Sequence, residues 1–149
     1  MERKDKMIIA MASDHGGFKL KNAVKEHLIK EGYKVVDLGT NSEDSVDYPV
    51  YGKACAEAVA SGKADLGVVC CGTGIGISIA ANKVKGIRCG LCTSVEMAEL
   101  TKKHNNANMI AMGGRIIDDE LAIRITDTWL NTEFEGGRHK RRTDMLDAM

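Results

Sequence analysis

Leu66-Gly67-Val68-Val69-Cys70-Cys71-Gly72-Thr73-Gly74-Ile75-Gly76-Ile77-Ser78 joins a strand-length apolar run to a thiol and then to three glycines at alternate positions. Glycine admits positive φ and leaves bare N–H groups that can close on a ligand. A strand over Leu66–Cys71 therefore ends in an anion cradle, and the helix expected over Ile75–Asn82 adds the partial positive charge of its N-terminus at the same spot. Such a field favours a thiolate at Cys71 and steadies negative charge developing on a bound oxygen. A buried strand with an inert thiol and a tight turn is the plainer alternative, and the glycine spacing weighs against it.

Outward from this stretch, strand-like and helix-like segments alternate. Strands are expected at Met7–Ala12, Lys34–Leu38, Leu66–Cys71, Ile87–Cys92 and Met109–Met112. Between them, Phe18–Glu31 has helical spacing and stops at Gly32, and Val50–Ser61 follows Pro49, which a first helical turn tolerates. Thr93-Ser94-Val95-Glu96 has capping-box spacing for a helix to His104, and a last helix is expected over Asp118–Asn131. Five strands separated by helices imply an α/β fold, a Rossmann-like three-layer α/β/α sandwich on a five-stranded parallel sheet. No linker or repeat interrupts residues 1–149, so one domain is expected.

With 149 residues, 44% hydrophobic and 28% charged, the composition is that of an ordinary globular chain. Zero formal net charge gives no general attraction to nucleic acid or anionic membrane, so any anion site must be local. No apolar run reaches bilayer length, and the charged start Met1–Lys6 leads into a segment too short for a signal peptide. A cytoplasmic protein is expected. Its five cysteines, Cys55, Cys70, Cys71, Cys89 and Cys92, are an odd number, so free thiols are the default. Cys89 and Cys92 have C-x-x-C spacing, but a strand there would send them to opposite faces, and no second ligand pair stands at zinc spacing.

Ligands of parallel sheets bind beyond the carboxyl ends of the strands. The first strand runs into Ser13-Asp14-His15-Gly16-Gly17, the third into Cys71 and its glycines, and the fifth into Gly113-Gly114-Arg115. His104 and Asn105 just precede the fifth strand and are expected to converge on the same edge. In the tail, Glu135-Gly136-Gly137-Arg138-His139-Lys140-Arg141-Arg142 gathers five potential cations in a neutral chain, with Arg138 and Arg142 on one helical face. Guanidinium pairs suit phosphate. At 4% aromatic residues, the chain is poorly furnished for stacking on nucleic acid.

Taken together, Ser13–Gly17, Asp47-Tyr48-Pro49, Cys71–Lys83, His104-Asn105 and Glu135–His139 resemble the type B ribose-5-phosphate isomerases, part of a sugar-phosphate isomerase family that includes galactose-6-phosphate isomerase subunits. The resemblance runs from about Lys6 to the C-terminus. It implies metal-free and cofactor-free interconversion of ribose 5-phosphate and ribulose 5-phosphate, a pentose phosphate reaction. It also implies a homodimer with sites at the subunit interface, where segment 132–149 packs, and leaves open a tetramer of two dimers. The partner implied is a small sugar phosphate, with neither nucleic acid nor membrane.

By the same resemblance, Cys71 takes the proton from C2 of the opened aldose and returns it at C1, while the amides from Gly72 through Gly74 to Gly76 hold the enediolate oxygens. His104 opens the furanose ring together with Asp14, Thr73 and Asn105 position hydroxyls, and Tyr48 lines the pocket. Arg138 and Arg142, with His15 and Arg115, surround the phosphate, some of them from the neighbouring subunit. One branch of the family carries a glutamate base where this chain has Ile77, which favours the cysteine. Cys70 is expected to point away and pack.

The residues leave two other readings open. A hexose phosphate such as allose or galactose 6-phosphate requires only a slightly longer pocket. A non-catalytic phosphate- or nucleotide-binding module would also use a glycine loop at a strand end, although it would have no need of a thiol beside two histidines and an acid.

Overall fold

A computed structural model describes residues 7–149; the charged start, residues 1–6, lies outside the described residues. Five parallel strands, β1 (Ile8–Ser13), β2 (Lys34–Asp37), β3 (Leu66–Cys71), β4 (Cys89–Leu91) and β5 (Met109–Gly113), form one sheet in the order β2-β1-β3-β5-β4. Six helices accompany them: α1 (Phe18–Lys30), α2 (Tyr48–Ala60), α3 (Ile75–Asn82), α4 (Val95–Asn105), α5 (Asp119–Asn131) and α6 (Arg138–Asp147). The expected α/β sandwich is the fold observed.

The period of two along each strand separates two cores. Ile9, Met11, Val68, Cys70, Ile110 and Met112 face α1, α4 and α5, where Leu20, Val24, Leu28, Ala98, Ile125 and Trp129 cover them. Ala10, Ala12, Val69, Cys71 and Ala111 face α2 and α3, where Cys55, Ala56, Val59, Ile77 and Ala81 cover them. Cys70 and Cys71 thus point to opposite faces, as expected. The fully buried Trp129 donates its indole N–H to the Ala107 carbonyl at 2.9 Å, so its bulk enters the core without an orphaned donor.

Local chemistry sets the helix ends. Asp118 caps α5 by accepting from the Leu121 N–H, and Ser94 caps α4 by accepting from the Met97 N–H. α2 begins at Tyr48, two residues earlier than the sequence indicates, with Pro49 inside its first turn. β4 is shorter than the expected Ile87–Cys92. Side-chain amides replace ladder bonds there: Asn108 Oδ1 accepts from the Arg88 N–H at 2.8 Å and Asn82 Oδ1 from the Cys89 N–H at 2.7 Å.

The strand order reverses direction between β1 and β3, and the crevice beyond their carboxyl ends is the place a parallel sheet offers to a ligand. The turn after β2 is fastened to this edge. Lys21, wholly buried, donates to Asp37 Oδ1 at 2.8 Å and to the Thr40 carbonyl at 2.6 Å. Gly39 and Thr40 in turn exchange backbone bonds with Ser13, next to Asp14. No helix among the described residues is long and apolar enough to cross a membrane.

Candidate active site

At the switch point three strand ends interlock. Asp14 donates its N–H to the Cys70 carbonyl at 3.3 Å, Gly114 to the Cys71 carbonyl at 2.9 Å and Arg115 to the Gly72 carbonyl at 2.9 Å. Close approach of backbone demands glycine here: a Cβ on Gly17 would stand 2.4 Å from the Cys70 carbonyl carbon. The turns that carry Asp14, the Cys71 loop and Arg115 therefore form one rigid unit.

Within this unit, Sγ of Cys71 accepts the Gly74 N–H at 3.1 Å. Gly74 has φ +81°, the left-handed conformation that turns its amide back toward the sulfur, and it is the residue before α3. The thiol is thus held at a helix N-terminus, and only 5% of Cys71 is exposed. Thr73 is exposed, and its hydroxyl accepts the Ile75 N–H at 3.2 Å. The Tyr48 ring lies over Gly76, where a Cβ would fall 2.6 Å from its Cζ. Arg115 reaches back over Gly72, its Nη1 3.0 Å from where a Cβ would stand.

Asp14 Oδ1 accepts the Gly17 N–H at 3.1 Å and lies 3.4 Å from the Cβ position of Gly16, which in turn abuts the Gly72 amide nitrogen. His15 Nδ1 accepts the Val46 N–H at 3.2 Å, which assigns the ring proton to Nε2 and leaves a donor for an anion. A cavity of about 530 Å³ opens beside this cluster, lined by His15, Gly16, Lys19, Glu43 and Gly114. Asp14, His15, Tyr48, Cys71, Gly72, Thr73, Gly74, Gly76 and Arg115 are accordingly brought together.

His104, Asn105, Arg138 and Arg142 are not, and the expectation that all the motifs share one edge is corrected. In a parallel sheet, a helix running into a strand delivers its last turn to the strand's amino end. His104 and Asn105 close α4 and precede β5, whereas Cys71 pairs with Gly113 at the end of β5. The length of β5 separates the two groups, about 13 Å at about 3.3 Å per residue.

The second group is itself well built. The rings of His104 and His139 stack with centroids 4.3 Å apart and 13° between planes. Glu135 Oε1 stands 3.9 Å from His104 Nε2 and 3.4 Å from His139 Nε2. Burial, reinforced by His104 and Arg138, pushes the His139 pKa below the ordinary histidine value. Arg138 and Arg142 lie exposed on α6. In the sequence Glu135 and His139 stand out only as parts of a motif, and the one signal that Arg88 carries is a lone charge in the apolar segment Gly86–Cys92.

Among the described residues, two clusters hold metal-ligating groups: His104, Glu135 and His139, and on the surface His27, Glu31 and Asp127. The stacked rings of the first lie in nearly parallel, separate planes, so one ion cannot lie in both. In the second, His27 Nε2 is already engaged by both oxygens of Asp127, at 2.8 and 3.0 Å.

The family model described as Ribose/Galactose Isomerase matches residues 9–146. Ribose-5-phosphate isomerase B of Escherichia coli K12 is 46% identical over 141 residues, 95% of either chain. Among solved structures, ribose-5-phosphate isomerase B of Clostridium thermocellum is 51% identical with a TM-score of 0.94, covering 95% of this chain and 96% of that one. The Mycoplasma genitalium enzyme, solved with bound ribulose-5-phosphate, is 41% identical with a TM-score of 0.91, covering 96% and 95%.

Proposed function

The chain belongs to the ribose/galactose isomerase family, and we propose that it interconverts ribose 5-phosphate and ribulose 5-phosphate with Cys71 as the base. The observation that carries this reading is the Cys71 sulfur at 3.1 Å from the Gly74 N–H, on the loop at the mouth of α3. A donor aimed at the sulfur from a glycine loop steadies the negative charge that the atom carries when it acts as a base.

The reaction then follows from the groups present. His104 and Asp14 move the O1 proton of the furanose to the ring oxygen, which releases the aldehyde. The Cys71 thiolate takes the C2 proton, and amides of the glycine loop and the first turn of α3 hold the charge that develops on O1. The same thiol protonates C1, while the O2 hydroxyl proton passes to O1, leaving the ketone. Thr73 and Asn105 bind the intervening hydroxyls, and Tyr48 covers the loop. His15, Arg115, Arg138 and Arg142 hold the phosphate, which keeps the mobile open chain aligned with the sulfur.

Such a site needs two copies of the chain, because His104, Asn105, Arg138 and Arg142 of one protomer must meet the Cys71 loop of its partner. A homodimer with segment 132–149 at its interface supplies that arrangement. Apolar side chains exposed near the loop and on α6, including Val50, Ile75, Ile79 and Met145, support such an interface. Turnover of ribose 5-phosphate, allose 6-phosphate and galactose 6-phosphate by the purified protein tests the substrate. Rapid conversion of the pentose is expected, and a hexose preference with negligible pentose turnover would overturn the assignment.

A further inference from the structure

Arg88 precedes β4 on the edge opposite Cys71, and its side chain is 86% buried. One arm is spent on the end of α4: Nε donates to the carbonyls of Asn105 at 3.0 Å and Asn106 at 3.3 Å, and Nη2 to Asn106 at 2.9 Å. These are carbonyls that a helix end leaves without partners, and Asn106, in the left-handed conformation at φ 43°, aims its own at the cation. The other arm, Nη1, meets Asp147 Oδ1 at 2.6 Å. Asp147 is the last residue of α6, the helix that carries Arg138 and Arg142.

We propose that Arg88 is the positioning residue of the isomerase, fixing His104 and Asn105 on one side and the phosphate-binding face of α6 on the other. The proposal rests on the catalytic reading above. A planar fork with five donors in fixed directions can hold two segments at a set distance, which an ammonium on a flexible stem cannot. Arg88 also compensates the dipole of α4 at its carboxyl end. Its position, bonded to the backbone of Asn105 one residue from His104, and a helix length from Arg138, lets it govern both groups without touching substrate. Nearer the start of α6, the His104–His139 stack, the Glu135 carboxylate that stands against both rings and the bond from the Glu135 N–H to the Lys103 carbonyl also join this segment to α4.

The two arms separate experimentally, because ribulose 5-phosphate has no free C5 hydroxyl with which to close a furanose. Exchange of its C1 hydrogen with D₂O needs Cys71 but no ring opening. In Arg88→Gln, kcat for ribose 5-phosphate is expected to fall about 30-fold and KM to rise about fivefold, while C1 exchange at saturating ribulose 5-phosphate falls less than about threefold. In Asp147→Asn, which frees α6 alone, KM and the inhibition constant of inorganic phosphate rise about fivefold and kcat stays within about twofold. Both variants are checked for dimer content and Tm. Unchanged kinetics in a folded Arg88→Gln dimer overturn the proposal. So does a proportional loss of isomerisation and exchange, which marks a merely structural role, or an Asp147→Asn enzyme whose kcat falls and KM does not. Absence of ribose 5-phosphate turnover in the wild type, or its persistence in Cys71→Ala, marks failure of the catalytic reading itself and removes the proposal with it.

Discussion

The sulfur of Cys71 and the amide of Gly74 are 3.1 Å apart, three residues distant in the chain and joined by a turn that only a left-handed residue can close. In Cys71→Ala the amide loses its acceptor but the loop retains its backbone ties, so the pocket survives while the proposed base is gone. Isomerisation is expected to fall about 10⁴-fold or more, with binding of ribulose 5-phosphate, measured by calorimetry, within about threefold. Turnover near the wild-type rate would assign the base elsewhere.

Gly74→Ala separates geometry from chemistry at the same loop. An added Cβ would lie 2.8 Å from the Met112 carbonyl carbon, and an alanine at φ +81° is strained as well. The left-handed conformation alone costs about 1–2 kcal/mol, and the contact with backbone adds to it. A drop in Tm of several degrees together with about 100-fold lower kcat is expected, read by calorimetry and coupled assay. A stable and fully active variant would show that catalysis does not need the tight loop geometry at Gly74.

What the sequence discloses about this site divides along the same lines. The Cys71 loop is legible because strand, thiol and glycines are contiguous, and the alternation of strand-like and helix-like segments places the loop at a sheet edge. His104 is legible as a residue but not as a position: motif order cannot show that α4 delivers it to the far edge of the sheet. Lys21 sits on the buried stripe with Val24 and Leu28, spacing that was available to be read, yet its charge argues for the surface until Asp37 and Thr40 are seen opposite it. Arg88 is hidden for a similar reason, since all the partners of its guanidinium except Asp147 are main-chain carbonyls, which carry no side-chain signature.

Lys21 and Asp37 predict an acid dependence of stability. Burial raises the Asp37 pKa, but hydrogen bonds from Lys21, the Gly39 N–H and Lys25 outweigh it and hold the carboxyl below the ordinary value of about 3.9. A carboxyl depressed in the folded state contributes stability that is full above its unfolded pKa. That contribution is lost as pH falls from about 4 through the folded value. Asp37→Asn also leaves the Lys21 ammonium buried without its counter-charge, at a cost of about 3 kcal/mol at neutral pH. Wild type and variant should therefore differ most in Tm at pH 7 and converge as the pH drops below 4. A constant gap across that range would remove Asp37 from the acid transition.

His104→Asn should uncouple ring opening from proton transfer. Ribose 5-phosphate reaches the base only after its furanose opens, whereas ribulose 5-phosphate arrives open. The variant is expected to lose about 100-fold in kcat with ribose 5-phosphate while exchanging the C1 hydrogen of ribulose 5-phosphate with D₂O at close to the normal rate. Equal losses in the two assays, followed by NMR, would place His104 in the proton transfer at carbon instead.

Separation of Cys71 from His104 by the length of β5 makes the shared site testable without any structure of the dimer. On the proposed dimer, a Cys71→Ala homodimer and a His104→Asn homodimer each keep about 1% or less of the wild-type ribose 5-phosphate isomerisation. When the two are unfolded together and refolded in equal amounts, about half of the dimers are mixed by random pairing. A two-fold interface repeats the same contact twice, so each mixed dimer holds one site with both defects and one with neither. About a quarter of the wild-type activity should return, and its KM should equal that of the wild type. If both groups acted within one chain, every site in every mixed dimer would carry one defect, and no activity would be regained.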